Sequence, residues 1–326
     1  MPKLEHVPSV SSRPMEQLDP SPVDEEAPIL DDSDLKAEHV VNPEDLSEKQ
    51  HPTYFPPSGG TTNNVGVQYS RVPTILLALQ KYSTIAPTLY LIGHYANTAA
   101  IPLFTLSTQK AENSLLLTRP YYQSFPLEPL LIFAPIVTHV LSGLSLRIYR
   151  RFQAAKRYGA ETHAERAKIT KALWPKLSLT SALGYALYPM MAAHIIVNRI
   201  TPLKVHGDSS SVGLRFFSHG VKRHPWLASL GYTVMVSVAS WHFVGGAAKY
   251  LRLTREYVTE GGDYGARQRR VRTRMLNIVS GLVAAVWALG GIGVIGRGIG
   301  TPEASAWEIK QWDEVYRAVP VVGGMM

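Results

Sequence analysis

The chain has 326 residues, 45% of them apolar and 18% charged, a formal charge of +8 and no cysteine, which excludes a disulfide-stapled secreted domain and a cysteine-built zinc site. Those averages hide two regions of opposite character. Residues 1–70 carry thirteen acids against four bases, a net of −9, with ten prolines, whereas the remainder carries 29 Lys and Arg against 12 Asp and Glu, a net of +17.

In chain order, the acidic segment comes first. With few aromatics it cannot bury a core, and a disordered tail is the expectation for 1–70. Within it lies Leu18-Asp19-Pro20-Ser21-Pro22-Val23. Two prolines spaced by one residue preorganise an extended segment and lower the entropy cost of docking, and Leu18 and Val23 add apolar anchors. The start is neither an Arg-rich, acid-poor presequence nor an apolar secretory run. Pro52, Pro56 and Pro57 with Tyr54 and Phe55 then fit an approach to a membrane interface, where aromatics are favoured.

Five stretches free of Asp, Glu, Lys and Arg follow: Tyr82 to Gln109, Pro129 to Leu146, Leu177 to Asn198, Pro225 to Ala248 and Met275 to Gly296. Each approaches or exceeds the ~20 residues that cross a bilayer as helix. The fold class is therefore all-α, a polytopic membrane bundle of five helices over 71–297, with an interfacial C-terminal tail over 298–326 that includes Trp307, Trp312 and Tyr316. The connections Arg147 to Lys176 and Lys249 to Arg274 hold nine and eight Lys and Arg, against two in Lys110 to Glu128 and five in Arg199 to Arg223. The positive-inside bias then assigns the two basic connections and the N-terminal tail to the cytosol.

The spans repeat. Gly93-His94-Tyr95-Ala96-Asn97 with Ile101-Pro102-Leu103 aligns on Ala193-His194 and Asn198 with Thr201-Pro202-Leu203, and His139-Val140-Leu141-Ser142-Gly143 on His242-Phe243-Val244-Gly245-Gly246. A two-helix unit has been duplicated, and the fifth span stands outside it. Counted from the charged edges, His139 and His242 share one depth and His94 and His194 another.

Two imidazoles facing each other from separate helices can ligate a haem b, and the small residues Ser142, Gly143, Gly245 and Gly246 would let a macrocycle approach, with Arg147 and Lys249 near its propionates. The same residues also suit interhelical hydrogen bonding and close packing. At these positions the chain resembles the cytochrome b subunits of the succinate dehydrogenase and fumarate reductase family. That resemblance implies His94, His139, His194 and His242 as cofactor-binding residues, with no metal beyond the haem iron.

The acidic tail, five spans, Gly93-His94-Tyr95-Ala96-Asn97-Thr98 and the His139-Ser142-Gly143 helix also resemble the fungal Mcp-type, or Mdm-complementing, mitochondrial outer-membrane proteins. This second resemblance implies a multi-pass outer-membrane protein with a cytosolic N-terminus, acting in lipid homeostasis and mitochondrial shape at organelle contact sites. It further implies a partner, a bridge-like lipid-transfer protein of the vacuolar-protein-sorting-thirteen type, recruited through Leu18, Pro20, Pro22 and Val23. An adaptor rather than an enzyme is expected, with membrane lipids and no nucleic acid as further partners.

Two other functions stay open at this point: a haem b electron carrier, and a lipid scramblase with a polar groove of Gln80, Ser83, Thr84, His94, Asn97 and Thr98. The run Arg267, Arg269, Arg270, Arg272, Arg274 is first a topology determinant and also suits anionic headgroups. Gly291, Gly293 and Gly296 have a GxGxxG-like spacing but end a span instead of following a strand, which argues against a dinucleotide site.

Overall fold

The computed structural model describes residues 71–157, 177–320 and 323; the tail with its Pro-x-Pro motif lies outside them. Among the described residues every element is helical. They are α1 (Arg71–Tyr82), α2 (Ile85–Tyr95), α3 (Ile101–Thr105), α4 (Thr108–Thr118), α5 (Pro120–Gln123), α6 (Ala134–Arg157), α7 (Leu179–Ile195), α8 (Thr201–His206), α9 (Leu214–Arg223), α10 (Pro225–Tyr250), α11 (Gly262–Trp287) and α12 (Ala306–Ala318). Short π-helical turns join several of them.

Five of the resulting rods are long and apolar enough to cross a membrane: Arg71–Thr105, Pro129–Phe152, Leu179–His206, Pro225–Tyr257 and Gly262–Ile295. The all-α, five-span architecture expected from the sequence is thus observed. Their outward faces carry large apolar side chains such as Leu89, Leu230 and Leu282, each more than 60% exposed, as a belt facing hydrocarbon requires. Several rods run past the charged residues that bound the apolar stretches. The fifth begins thirteen residues before Met275, because a helix need not stop where the hydrocarbon does.

The duplication is visible in backbone detail. After His94 the first span passes through a π-helical turn, Ala96–Ala100, and after His194 the third does the same over Ile196–Ile200. A proline follows each turn, Pro102 and Pro202, both buried. Proline lacks an N–H and crowds the carbonyl four residues earlier, so a local change of register is a physical response to its presence. At the same offset in both units a side chain donates to the histidine carbonyl: Thr98 Oγ1 to His94 O at 2.7 Å and Asn198 Nδ2 to His194 O at 2.8 Å.

Within the first unit α1 packs on α6, and within the second α7 packs on α10. The fifth span joins them, since α11 lies along α10 while its terminal π turn, Ala288–Ile295, meets α3 and the turn after His94. Gly290 makes that meeting possible: a Cβ there would fall 2.0 Å from Ala99 O. The glycine-rich stretch is a close-packing device. At the basic end, Lys81 stands 5.5 Å over the Tyr250 ring and Tyr250 bonds the turn at Thr84, tying the first span to the fourth.

The opposite end, where the first, third and fifth spans finish, is capped. The amphipathic α9 buries Leu214, Phe216, Ser218 and Gly220 and contacts α4, α10 and α12. Helix α12 opens with a capping box between Ser305 and Glu308. Its residues Trp312, Val315 and Tyr316 are buried with Val212 and Phe216, so its apolar face covers protein; Trp307 alone of the three aromatics is widely exposed.

Candidate functional site

The histidines stand in two pairs. His139 and His242 have ring centroids 6.5 Å apart and edge to face, and His94 and His194 6.1 Å apart in the same relation. In the pair nearer the basic end each imidazole reaches across to the first helix of its own unit. His139 Nδ1 lies 3.0 Å from Gln80 O, and His242 Nδ1 2.9 Å from Thr180 O. The two acceptors occupy the same place in the repeat. Each histidine therefore works as a clip between the two helices of its unit, satisfying a ring nitrogen that hydrocarbon would leave costly.

The second pair is knitted differently. Tyr90 OH lies 3.5 Å from His94 Nδ1, Asn198 Nδ2 lies 3.3 Å from His194 Nδ1, and the Trp287 ring stands edge-on to His94. Trp287 Nε1 donates to Thr98 Oγ1 at 3.0 Å, which fastens the fifth span to this cluster.

The haem b expectation is corrected here. Among the described residues no group of three or more His, Cys, Asp and Glu side chains is arranged to hold a metal ion. Of the small residues expected to admit a macrocycle, Gly143 and Gly245 face protein side chains, while nothing lies within 4 Å of a Cβ on Gly246. A Cβ on Gly143 would lie 3.0 Å from Gln80 Nε2, and one on Gly245 3.2 Å from Thr180 Oγ1. Gly184, one turn beyond Thr180, receives the His242 ring itself, within 2.7 Å of where its Cβ would stand. The slots are filled by Gln80, Thr180 and His242, so His94, His139, His194 and His242 are not assigned as cofactor ligands, and nothing observed supports the cytochrome b resemblance.

The polar groove expected of Gln80, Ser83, Thr84, His94, Asn97 and Thr98 is divided. Ser83 and Thr84 donate to the α1 carbonyls Gln80 O and Lys81 O, and Thr98 is spent between His94 and Trp287. His94 and Asn97 line a common cleft. Leu18, Pro20, Pro22 and Val23 lie outside the described residues.

At the capped end sequence reasoning missed the ionic wiring. Arg199, on the π turn after His194, makes a bidentate pair with Glu128, both side chains less than 20% exposed. Arg119 donates to the Ser209, Ser210 and Val212 carbonyls and so seats the loop before α9. Arg215 bonds Glu308 at 2.8 Å, and Asp313 accepts from both His219 and Arg223 at 2.7 Å.

Burial alone would raise the Asp313 carboxyl, but the His219 hydrogen bond and the Arg223 charge outweigh it and hold it below its usual value. Glu308 follows suit: burial is outweighed by the Ser305 and Arg215 hydrogen bonds. Glu112 accepts the Leu214 N–H at the start of α9, yet burial there wins and its carboxyl is pushed up. The one sequence signal for this network was the cluster of four acids in 303–314 against the five cations of 199–223; partner identities were not readable from spacing.

Comparison with known families adds one finding. Residues 189–299 match the family model of MDM10-complementing protein 1, transmembrane domain. The match takes in the end of the third span with His194, the α8–α9 cap, the fourth span with His242 and the fifth. The first unit, though built alike, lies outside it. No curated protein and no solved structure matches the chain.

Proposed function

We propose that the chain is a multi-pass adaptor of the mitochondrial outer membrane that recruits a bridge-like lipid-transfer protein to organelle contact sites through Pro20 and Pro22, and so acts in lipid homeostasis and mitochondrial shape. The observation that carries this reading is the similarity of residues 189–299 to the transmembrane domain of MDM10-complementing protein 1, together with the five spans. In this reading the bundle is an anchor. Its histidines and ionic cap serve packing, and recruitment belongs to the tail, where Leu18 and Val23 flank the two prolines. No enzymatic step forms part of the proposal.

Two measurements test it. Pro20→Ala with Pro22→Ala should abolish co-purification of the lipid-transfer protein while the membrane domain still inserts; unchanged recovery overturns the site. A tag placed at residue 1 should be removed by protease added to intact mitochondria, and a protected tag would reverse the orientation.

A further inference from the structure

A cleft of about 270 Å³ opens on the side of the first span, in the half nearer the capped end. Polar groups of its lining come from Tyr90, His94, Asn97, Thr118, Tyr122 and the largely exposed Tyr121. Asn97 is buried and spends its amide N–H on Thr118 Oγ1 at 3.0 Å, which leaves its carbonyl oxygen as an acceptor. Tyr122 packs edge-on to Tyr90 at 4.9 Å and offers a phenol. Burial pushes that phenol up, so it stays protonated and able to donate.

Ala86, Leu89 and Leu131 supply apolar lining. Leu89 belongs to a stripe with Ile85 and Ile92, at i, i+4 and i+7 along α2, each more than half exposed. A polar group held by the polar lining would therefore continue onto an apolar strip of helix that stands open to hydrocarbon.

The lining carries no Asp, Glu, Lys or Arg. Arg119, the nearest cation in sequence to the cleft's Thr118, is spent on the Ser209 and Val212 carbonyls, and Arg199 on Glu128. A phosphodiester headgroup would find no cation in the lining itself, since Arg119 turns its terminal N–H groups to the loop carbonyls, and burying an unpaired charge is expensive. A hydroxyl with an adjoining hydrocarbon body fits the donor and acceptor set.

We propose that this cleft is a binding site for a neutral, hydroxyl-bearing membrane lipid, a sterol or a diacylglycerol, whose polar end meets Asn97 and Tyr122 and whose body lies along Leu89. The site is independent of the adaptor reading, because it lies in the first span and uses no residue of the tail.

Gly93 gives the test. It lines the cleft, and nothing lies within 4 Å of where its Cβ would be, so a large side chain can be placed there without an immediate clash. The full chain is reconstituted in phosphatidylcholine vesicles containing a diazirine-bearing sterol, a diazirine-bearing diacylglycerol or a diazirine-bearing phosphatidylcholine, irradiated, and the labelled residues are mapped by mass spectrometry. Label from the sterol or the diacylglycerol within 86–97 or 118–131, displaced by the unlabelled lipid, supports the site and tells the two sources apart. Gly93→Phe should reduce that label about tenfold, while Gly93→Ala should leave it within about twofold of the unaltered chain. Equal labelling by phosphatidylcholine, label spread along all five spans, or no label overturns the proposal. The mapping on the unaltered chain decides the matter even if Gly93→Phe does not fold.

Discussion

The two ends of the bundle hold cations in opposite ways. At the capped end Arg199 pairs with Glu128, Arg215 with Glu308 and Arg223 with Asp313, while Arg119 is absorbed by three backbone carbonyls. At the basic end Arg267, Arg270 and Arg274, at i, i+3 and i+7 of α11, are exposed on one helix face, while Arg269 and Arg272 of the same helix turn inward to hold the loop before them and Arg147 of α6 is buried. A count of Lys and Arg per connection treats these ends as differing only in number. The structure shows more than number: the capped end is joined by arginine–carboxylate pairs, whereas the outward face of α11 stands open to headgroups or solvent.

Breaking the cap at its most enclosed pair should have the largest effect. Arg199→Ala leaves Glu128 without its counter-charge in a site that is less than 20% exposed. Fully buried pairs lose about 3–5 kcal/mol on such truncation, and the residual solvent here reduces that to about 2–3 kcal/mol, read as a lower melting temperature in detergent. Adding Glu128→Gln should recover part of the loss, since the stranded charge is then gone. Full stability in Arg199→Ala alone would mean that the cap does not depend on this pair.

The seat of α12 comes next, and it sets an acid limit on the cap. Asp313 and Glu308 are held below their ordinary values of 3.8 and 4.5, so each binds a proton less readily folded than unfolded. Their stabilisation is complete above the unfolded values and is lost as pH falls through the lower folded ones, so α12 should loosen below about pH 4. Glu112 has the opposite sign, because its raised carboxyl costs stability when charged and relieves that cost as pH falls toward 4.5. Asp313→Asn should lower stability at pH 7 by about 1–2 kcal/mol, as it removes the carboxylate that accepts from His219 and from the half-exposed Arg223. It should also flatten the acid limb of the stability curve; an unchanged limb would assign that limb to other carboxyls.

Much of this architecture was legible in the sequence, and the reason is physical. Hydrocarbon excludes charge, so uncharged stretches mark spans, and duplication leaves His94 and His194, or Pro102 and Pro202, at matching offsets that survive divergence elsewhere. The depth of each histidine, counted from charged edges, brought together the same pairs that stand side by side in the structure. The partners of those histidines were not legible. A backbone carbonyl such as Gln80 O or Thr180 O has no sequence signature, so a ring engaged by one reads exactly as a ring awaiting a metal would, and the haem reading followed from that ambiguity. The Glu128–Arg199 pair was hidden for a related reason, since it joins two connections whose spatial approach depends on how the units pack.

Between the two ends the histidine clips offer a smaller effect. His139→Ala and His242→Ala each remove one bond to a carbonyl in the membrane interior, worth about 0.6–1.7 kcal/mol where such bonds have been measured. The two losses should be similar, as befits equivalent positions in a duplicated unit, and less than additive in the double variant because the rings touch. Strongly unequal losses would show that the units have diverged in how much they rely on the clip.

The smallest effect belongs to the open face of the basic end, and it is the sharpest test of the contrast. Arg272 donates to Arg252 O and Thr254 O, so Arg272→Ala leaves two loop carbonyls short of a partner and should cost about 1 kcal/mol. Arg270, two residues earlier on the same helix but exposed, should cost less than about 0.5 kcal/mol when replaced by Ala. The pair has equal charge, equal residue type and nearly equal distance from the membrane, so their difference reports inward bonding alone. If both substitutions are silent, α11 contributes no stabilising cross-link to the basic end. If both are costly, the outer face of α11 is engaged and the distinction between the ends is one of degree.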